Sequence, residues 1–156
     1  MHFLKLLPGK IGILLRNALI PYKQGVNVNV FEFVQIDMPS RLSIGSNVYI
    51  NRGCILHAGG EIQIGDHVGI GPNVIIYSQN HKYWIENTFF TDFKENSYDL
   101  KKVSIGDNVW IGAGSIILPG VNIGDNVIVA AGTIVAKNID SNIMVGGNPA
   151  KIIKRK

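Results

Sequence analysis

The sequence predicts an all-β chain wound into a parallel β-solenoid of about five triangular coils, and three observations carry that prediction. From Ile105 an aliphatic residue returns every six positions, at Ile105, Ile111, Ile117, Ile123, Val129 and Val135. The same spacing runs upstream through Ile44, Ile50, Leu56 and Ile62, slips by two residues, and resumes at Ile64, Ile70 and Ile76. Glycine supplies 18 of 156 residues and charged residues only 17%, where about 7% and roughly 25% are usual.

A period of six fits neither the helical 3.6 nor a long alternating strand. It fits short strands separated by tight turns. The first residue of each block points inward. The fifth is small or β-branched and fills a corner: Val48, Cys54, Val68, Val74, Val109, Ser115, Val121, Val127 and Thr133. Blocks opening Ile-Gly-Asp-Asn or Ile-Gly-Ser-Asn supply residues that tolerate positive φ, as a sharp corner demands. Three blocks close a coil of 18 residues, and coils stack at the strand spacing of roughly 4.8 Å, so that like side chains pile into columns. The expected organisation is a helical cap over 1–24, the solenoid over 25–145 with a loop excursion at 82–103, and a basic tail over 146–156. The first coil, Val26 to Ser43, keeps the pattern poorly.

The N-terminal stretch is apolar with spaced cations, Lys5, Lys10, Arg16 and Lys23, and no acid. Pro8-Gly9 marks a turn, and a short helix is expected from Lys10 to Ala18. Two readings are open: a cap over the end of the core, or a weak contact with an anionic membrane surface. The stretch lacks the unbroken apolar centre and small-residue cleavage site of a secretory signal, and no apolar run approaches the roughly 20 residues of a membrane span. The expected location is cytoplasmic, at the inner face of the membrane if the N-terminal segment touches lipid. A net charge of +4 is too weak to argue for nucleic acid as a partner.

Outward positions differ by face. The first face carries Ser43, Gln63, Ser104 and Asn122, and the second a mixed set, Tyr49, Gly69, Trp110 and Ile128. The third carries an apolar stripe, Ile55, Ile75, Ile116 and Ile134. Such a stripe marks an interface, and a rod with one sticky edge closes as a cyclic trimer; cover by the chain's own terminal segments is the alternative. The repeat stops at Asn80-His81 and resumes near Val103. The excursion between is rich in aromatics (Tyr83, Trp84, Phe89, Phe90, Phe93, Tyr98), and loops of this length are usually functional. His81 stands at its base, beside the apolar stripe.

These features resemble the hexapeptide-repeat acyltransferases over about Gly25 to Arg155. The carriers are the repeat itself, NVYIN ending at Asn51, SQNH ending at His81, the run IGDNVWIGAGSIILPGVNIGDNVIVAAGTIVAKNI, and VGGNPAKIIKR. The sequence is similar to the maltose and galactoside O-acetyltransferases and to acetyltransferases of capsule and lipopolysaccharide gene clusters. The resemblance implies a left-handed β-helix, a homotrimer, acetyl-coenzyme A as donor and no metal.

By the same resemblance His81 is the general base that takes a proton from an acceptor hydroxyl as it attacks the thioester. Backbone N–H groups at a glycine-rich turn such as Gly112 hold the oxyanion. Asn51 matches an acceptor contact, or is a corner asparagine satisfying backbone. Trp110 matches a tryptophan beside the acetyl end of the donor, or packs in the trimer. Ala113, Ala131, Gly132 and Ala136 match small residues along coenzyme A. Lys137, Lys151 and Lys154 match cations that meet its phosphates, against the alternative that the tail is simply solvated. Cys54, the lone cysteine, is expected to be core filling, with no covalent acyl-enzyme.

Two departures bear on the acceptor. The sugar acetyltransferases carry an acid after the asparagine, where this chain reads Leu56-His57-Ala58-Gly59, and their long acidic N-terminal region has no counterpart here. The expected reaction is acetyl transfer to a sugar or glycan hydroxyl, such as that of a surface polysaccharide or its precursor. N-acetylation of an amino or nucleotide sugar and xenobiotic O-acetylation remain alternatives. A zinc enzyme of the γ-carbonic-anhydrase kind, drawing on His57, His67 and His81, is a further rival, as is a scaffold without activity.

Overall fold

A computed structural model describes residues 6–82 and 98–155. Of the excursion's aromatics, Tyr83, Trp84, Phe89, Phe90 and Phe93 lie outside the described residues. Helix α1 (Gly9–Leu19) leads into three sheets that form the faces of a prism. Face 1 stacks β1 (Lys23–Gln24), β4 (Leu42–Ile44), β7 (Ile62–Ile64), β12 (Val103–Ile105) and β15 (Asn122–Ile123). Face 2 stacks β2 (Val28–Val30), β5 (Val48–Ile50), β8 (Gly69–Ile70), β13 (Trp110–Ile111), β16 (Ile128–Val129), β18 (Ile143–Gly146) and β19 (Lys151–Arg155). Face 3 stacks β3 (Gln35–Asp37), β6 (Ile55–His57), β9 (Ile75–Tyr77), β14 (Ile116–Ile117) and β17 (Ile134–Val135). Pairings within the faces are parallel except at the top, where β19 runs antiparallel to β18. A hairpin of β10 (Gln79–His81) and β11 (Tyr98–Leu100) stands apart.

The columns run as the repeat predicts. Ile44, Ile64, Ile105 and Ile123 line the inside of face 1, and Leu56, Ile76, Ile117 and Val135 that of face 3, all buried. One expectation needs correction. The two-residue slip is not a break: Ile62 and Ile64 share one strand and both point inward, so the lower coils repeat at 20 residues rather than 18. The 18-residue spacing holds for the step from Asp107 to Asp125, and the last step, from Asp125 to Ser141, is 16 residues. In the Gly-Asp-Asn corners it is asparagine that takes positive φ, at Asn47, Asn108 and Asn126. Gly65 is needed for room instead, because a Cβ there would lie 2.3 Å from Asp107 Oδ1. Asp107 Oδ1 in turn accepts the Asp66 N–H at 2.7 Å. The same bond recurs from Asp107 N–H to Asp125 Oδ1 at 2.8 Å, so the corner carboxylates stitch one coil to the next.

Helix α1 lies over the bottom of the rod with its polar side inward. A solenoid's last strand leaves backbone carbonyls with no further coil to bond. Arg16, wholly buried, donates from Nε to Val30 O at 2.8 Å and from Nη1 to Leu7 O at 2.7 Å. Asn17 Nδ2 donates to Val28 O at 2.7 Å, and Tyr22 Oη donates to Asn17 Oδ1 at 2.7 Å. Burial lowers the Arg16 pKa and raises that of Tyr22 to about 12. Nearby Glu32, buried, accepts from Arg52, and that hydrogen bond holds its carboxyl below the usual range. The cap expected from the sequence is present, one residue longer at each end than expected.

Cys54 is buried in the corner between faces 2 and 3, with Sγ donating to Gly71 O at 3.1 Å, and burial pushes its thiol up to about 11. The folded protein is therefore expected to resist thiol reagents at neutral pH and to label fully only in denaturant; rapid labelling of the native chain would contradict this burial. Replacing the cap's anchor, Arg16→Met, should cost about 1.5–3 kcal/mol, the scale of lost charge-assisted hydrogen bonds, read as a lower melting temperature with the β-sheet spectrum retained. An unchanged melting temperature would deny Arg16 its capping role.

Candidate functional site

His81 owes its place to the end of face 3. Ser78, buried, donates from Oγ to His57 O at 2.8 Å and accepts from the Gly60 N–H at 2.9 Å. The chain then leaves the rod as β10 and returns as β11. The neck closes where Lys101 N–H donates to Ser78 O at 2.8 Å. His81 pairs with Tyr98 across the hairpin, and the two rings lie 4.8 Å apart, tilted by 39°. The His81 N–H donates to Asn80 Oδ1 at 2.9 Å. A surface cleft of about 380 Å3 opens there, lined by His57, Tyr77, Gln79, Asn80 and Pro119 with His81. His57 is half-buried, stacked on Tyr77 at 5.4 Å, and its Nδ1 is buried with no partner among the described residues. An adjoining cleft of about 580 Å3 shares His57 and Gln79 and carries Arg41 and Lys82. The nearby Asp99 is paired with Lys101 at 2.7 Å.

The other expected site residues fall on two separate edges of the prism. Asn51, Gly112, Ala113, Ala131 and Gly132 sit in the turns joining face 2 to face 3. His81, Ala136 and Lys137 lie beyond the far end of face 3, on the edge toward face 1. Strands rise about 3.3 Å per residue, so a face of three or four residues separates the edges by roughly 10–15 Å. One chain does not bring His81 to Asn51.

Gly112 does not present a free donor. Its N–H makes the regular coil-to-coil bond to Val129 O at 2.7 Å, as Gly71 N–H does to Ile111 O at 2.8 Å. The available group is one residue on: no acceptor among the described residues takes the N–H of Ala113, which is exposed. Pro72 holds the equivalent place one coil below, so the turn does not need that N–H. Asn51 Oδ1 accepts the Arg52 N–H at 3.2 Å, which is the backbone-satisfying alternative for this residue.

Trp110 is 54% exposed on face 2, with its ring over Gly69, where a Cβ would lie 2.5 Å from Cε3. A glycine between Tyr49 and Trp110 in an outward column is the sequence signal for such a seat. Lys151 and Lys154 of the tail are exposed on β19, a strand hydrogen-bonded to β18 of the rod. The Ile55, Ile75, Ile116 and Ile134 stripe is half-buried by its own column neighbours, while Tyr49, Trp110 and Ile128 on face 2 are the more exposed. His67 is exposed in a turn, and among the described residues no three His, Cys, Asp or Glu side chains gather to hold a metal.

Comparison with known proteins places this geometry. Residues 102–137 match the family described as the hexapeptide repeat of succinyl-transferase. The chain is 35% identical over 130 residues to galactoside O-acetyltransferase of Escherichia coli (strain K12), covering 83% of this chain and 62% of that one. It spans about three fifths of the length of several curated relatives that it matches. A hexapeptide-repeat acetyltransferase of Vibrio cholerae, solved with acetyl-coenzyme A, superposes with a TM-score of 0.83 at 30% identity, over 91% of this chain and 76% of that one. A maltose O-acetyltransferase of Clostridium difficile 630 superposes with a TM-score of 0.68 at 35% identity, over 85% of this chain and 66% of that one. With its period, its prism and these relatives in agreement, the chain belongs to the hexapeptide-repeat acetyltransferase family.

Proposed function

We propose that this protein transfers an acetyl group from acetyl-coenzyme A to a hydroxyl of a sugar or glycan, in a cleft formed by two copies of the chain. The observation that carries the reading is the division of the site between two edges of the prism. Neither edge alone holds both a base and an oxyanion donor. Setting the Asn51–Ala113 edge of one copy against the His81 edge of the next completes a site. That contact joins two different surfaces, an arrangement that forms a ring when its rotation closes, and the proposed ring has three copies.

In that cleft the His81 imidazole accepts the acceptor's hydroxyl proton as the oxygen bonds to the thioester carbonyl carbon. The Ala113 N–H of the facing copy donates to the oxyanion. When the carbon–sulfur bond breaks, the proton on His81 is available to the departing thiolate. Cys54 takes no part, being buried with its thiol protonated. Small turn residues at Ala113, Ala131 and Gly132 leave room for a pantetheine arm, Trp110 on face 2 offers an aromatic surface beside its acetyl end, and Lys151 and Lys154 on β19 offer cations for the nucleotide end. The stretch Leu56-His57-Ala58-Gly59 offers the imidazole of His57 and no acid. With Arg41 and Lys82 in the adjoining cleft, this imidazole favours an acceptor that bears phosphate or carboxylate.

His81→Ala should lower acetyl transfer, followed by thiol release, by at least about two orders of magnitude, the scale of a lost general base. Light scattering should still give the mass of three chains; unchanged turnover would remove His81 from the role. Ala113→Pro removes one N–H at a position whose neighbour Pro72 already tolerates the ring. It should cost about 10²–10³ in kcat without loss of stability. Co-expressing His81→Ala with Ala113→Pro should restore part of the activity, because mixed rings contain an intact pair of edges. No recovery from two folded partners would place the site within one chain.

A further inference from the structure

The cap helix is amphipathic in the inverse sense. Its only fully buried residues are Gly12 and Arg16, with Asn17 turned toward the rod, while Ile11, Leu14, Leu15 and Leu19 face outward. Ile11 is 72% and Leu14 68% exposed. At 100° per residue these four fall on one arc of about 140°, with Arg16 and Asn17 on the opposite side and Gly12 at the arc's border. The inward polarity has a structural cause, since the open strand needs donors for Val28 O and Val30 O. The outward apolarity has none: the core is closed without it. Leu6 and Val26, 55% and 72% exposed, extend the same surface.

Residues 6–31 carry cations and no acid. Lys10 and Lys23 are exposed and Arg16 is buried. The acids of the bottom coil are Glu32 and Asp37, the latter accepting from Gln35 Nε2 at 3.0 Å. Glu32 itself is buried and engaged by Arg52. Lys23 shares a side cleft with Glu61. We infer that this end of the rod docks on a lipid bilayer with anionic headgroups, α1 lying in the interface with Ile11, Leu14, Leu15 and Leu19 in the acyl boundary and Lys10 and Lys23 at the headgroups. Charge complementarity selects this occupant. A second copy packed face to face across α1 would bring Lys10 against its own kind, since α1 carries no acid. The face is a convex helix of 11 residues rather than a groove, the shape that lies on a membrane plane. The inference does not depend on the acetyl-transfer reading.

The test is co-sedimentation of the full chain with vesicles of phosphatidylcholine containing phosphatidylglycerol, against vesicles of phosphatidylcholine alone. Binding to the anionic vesicles is expected, weakened by salt. It should fall at least about tenfold for Ile11→Glu with Leu14→Glu, and about fivefold for Lys10→Gln. All three side chains are exposed, so melting temperatures should hold, and acetylation of a soluble acceptor should be unchanged. That readout separates failure of the membrane contact from failure of the catalytic proposal. No sedimentation with anionic vesicles, or sedimentation untouched by the double substitution, overturns the inference. A drop in solution mass in the double variant, without an effect on vesicles, would assign the face to a second copy instead.

Discussion

Every peptide group in this protein's coils depends on a neighbour one level up or down. Strands of two or three residues are too short to be stable alone, and the parallel ladders satisfy backbone only while the stack continues. This constraint fixes three things at once. Side chains must repeat by level, which writes the period of six. Corners must turn without lifting the levels apart, which selects the Asp-to-backbone bonds such as Asp107 Oδ1 with Asp66 N–H. The ends must be closed by something that is not a coil. At the bottom this is the polar side of α1, and at the top it is β19 folding back on β18.

The same constraint explains which donors are open to chemistry. N–H groups that continue the ladder, like that of Gly112, are occupied by the next coil. Those at the following turn position are not, as Pro72 demonstrates by doing without one. Along the edge between faces 2 and 3 this position is filled by Pro72 in one coil and by Arg52 in another, whose N–H is taken by Asn51 Oδ1, while the N–H groups of Ala113 and Ala131 have no acceptor among the described residues. Chemistry placed on that edge gains donors held rigid by the whole rod. The histidine is supplied where the rod is interrupted, and the two requirements sit on different edges because a single edge cannot be both a continuous stack and the root of a loop.

Much of this was legible in the residues. The columns follow from Ile105, Ile111 and Ile117, and the departure of the chain at His81 follows from the lost period. The inward place of Cys54 follows from its fifth position in a block. What was not legible arose from hydrogen bonding between levels. Ile62 and Ile64 read as a slip because a three-residue strand with two inward side chains mimics a phase error. Glycine marks the turn in sequence and points to Gly112, whereas only the direction of the bonds between levels tells that the next coil occupies its N–H. The tail's cations suggested a solvated or strapping segment, and only the pairing of Lys151 with Gly146 made it a strand. The orientation of α1 was ambiguous because a buried arginine and an exposed leucine invert the usual rule.

The pinch between Ser78 and Lys101 has a consequence for how such proteins diversify. Because the chain re-enters the stack at the place where it left, the cylinder does not register how many residues were spent outside. Insertions and deletions between Lys82 and Tyr98 leave the lattice of coils undisturbed, so that stretch is free to drift in length and composition while the rod keeps its levels.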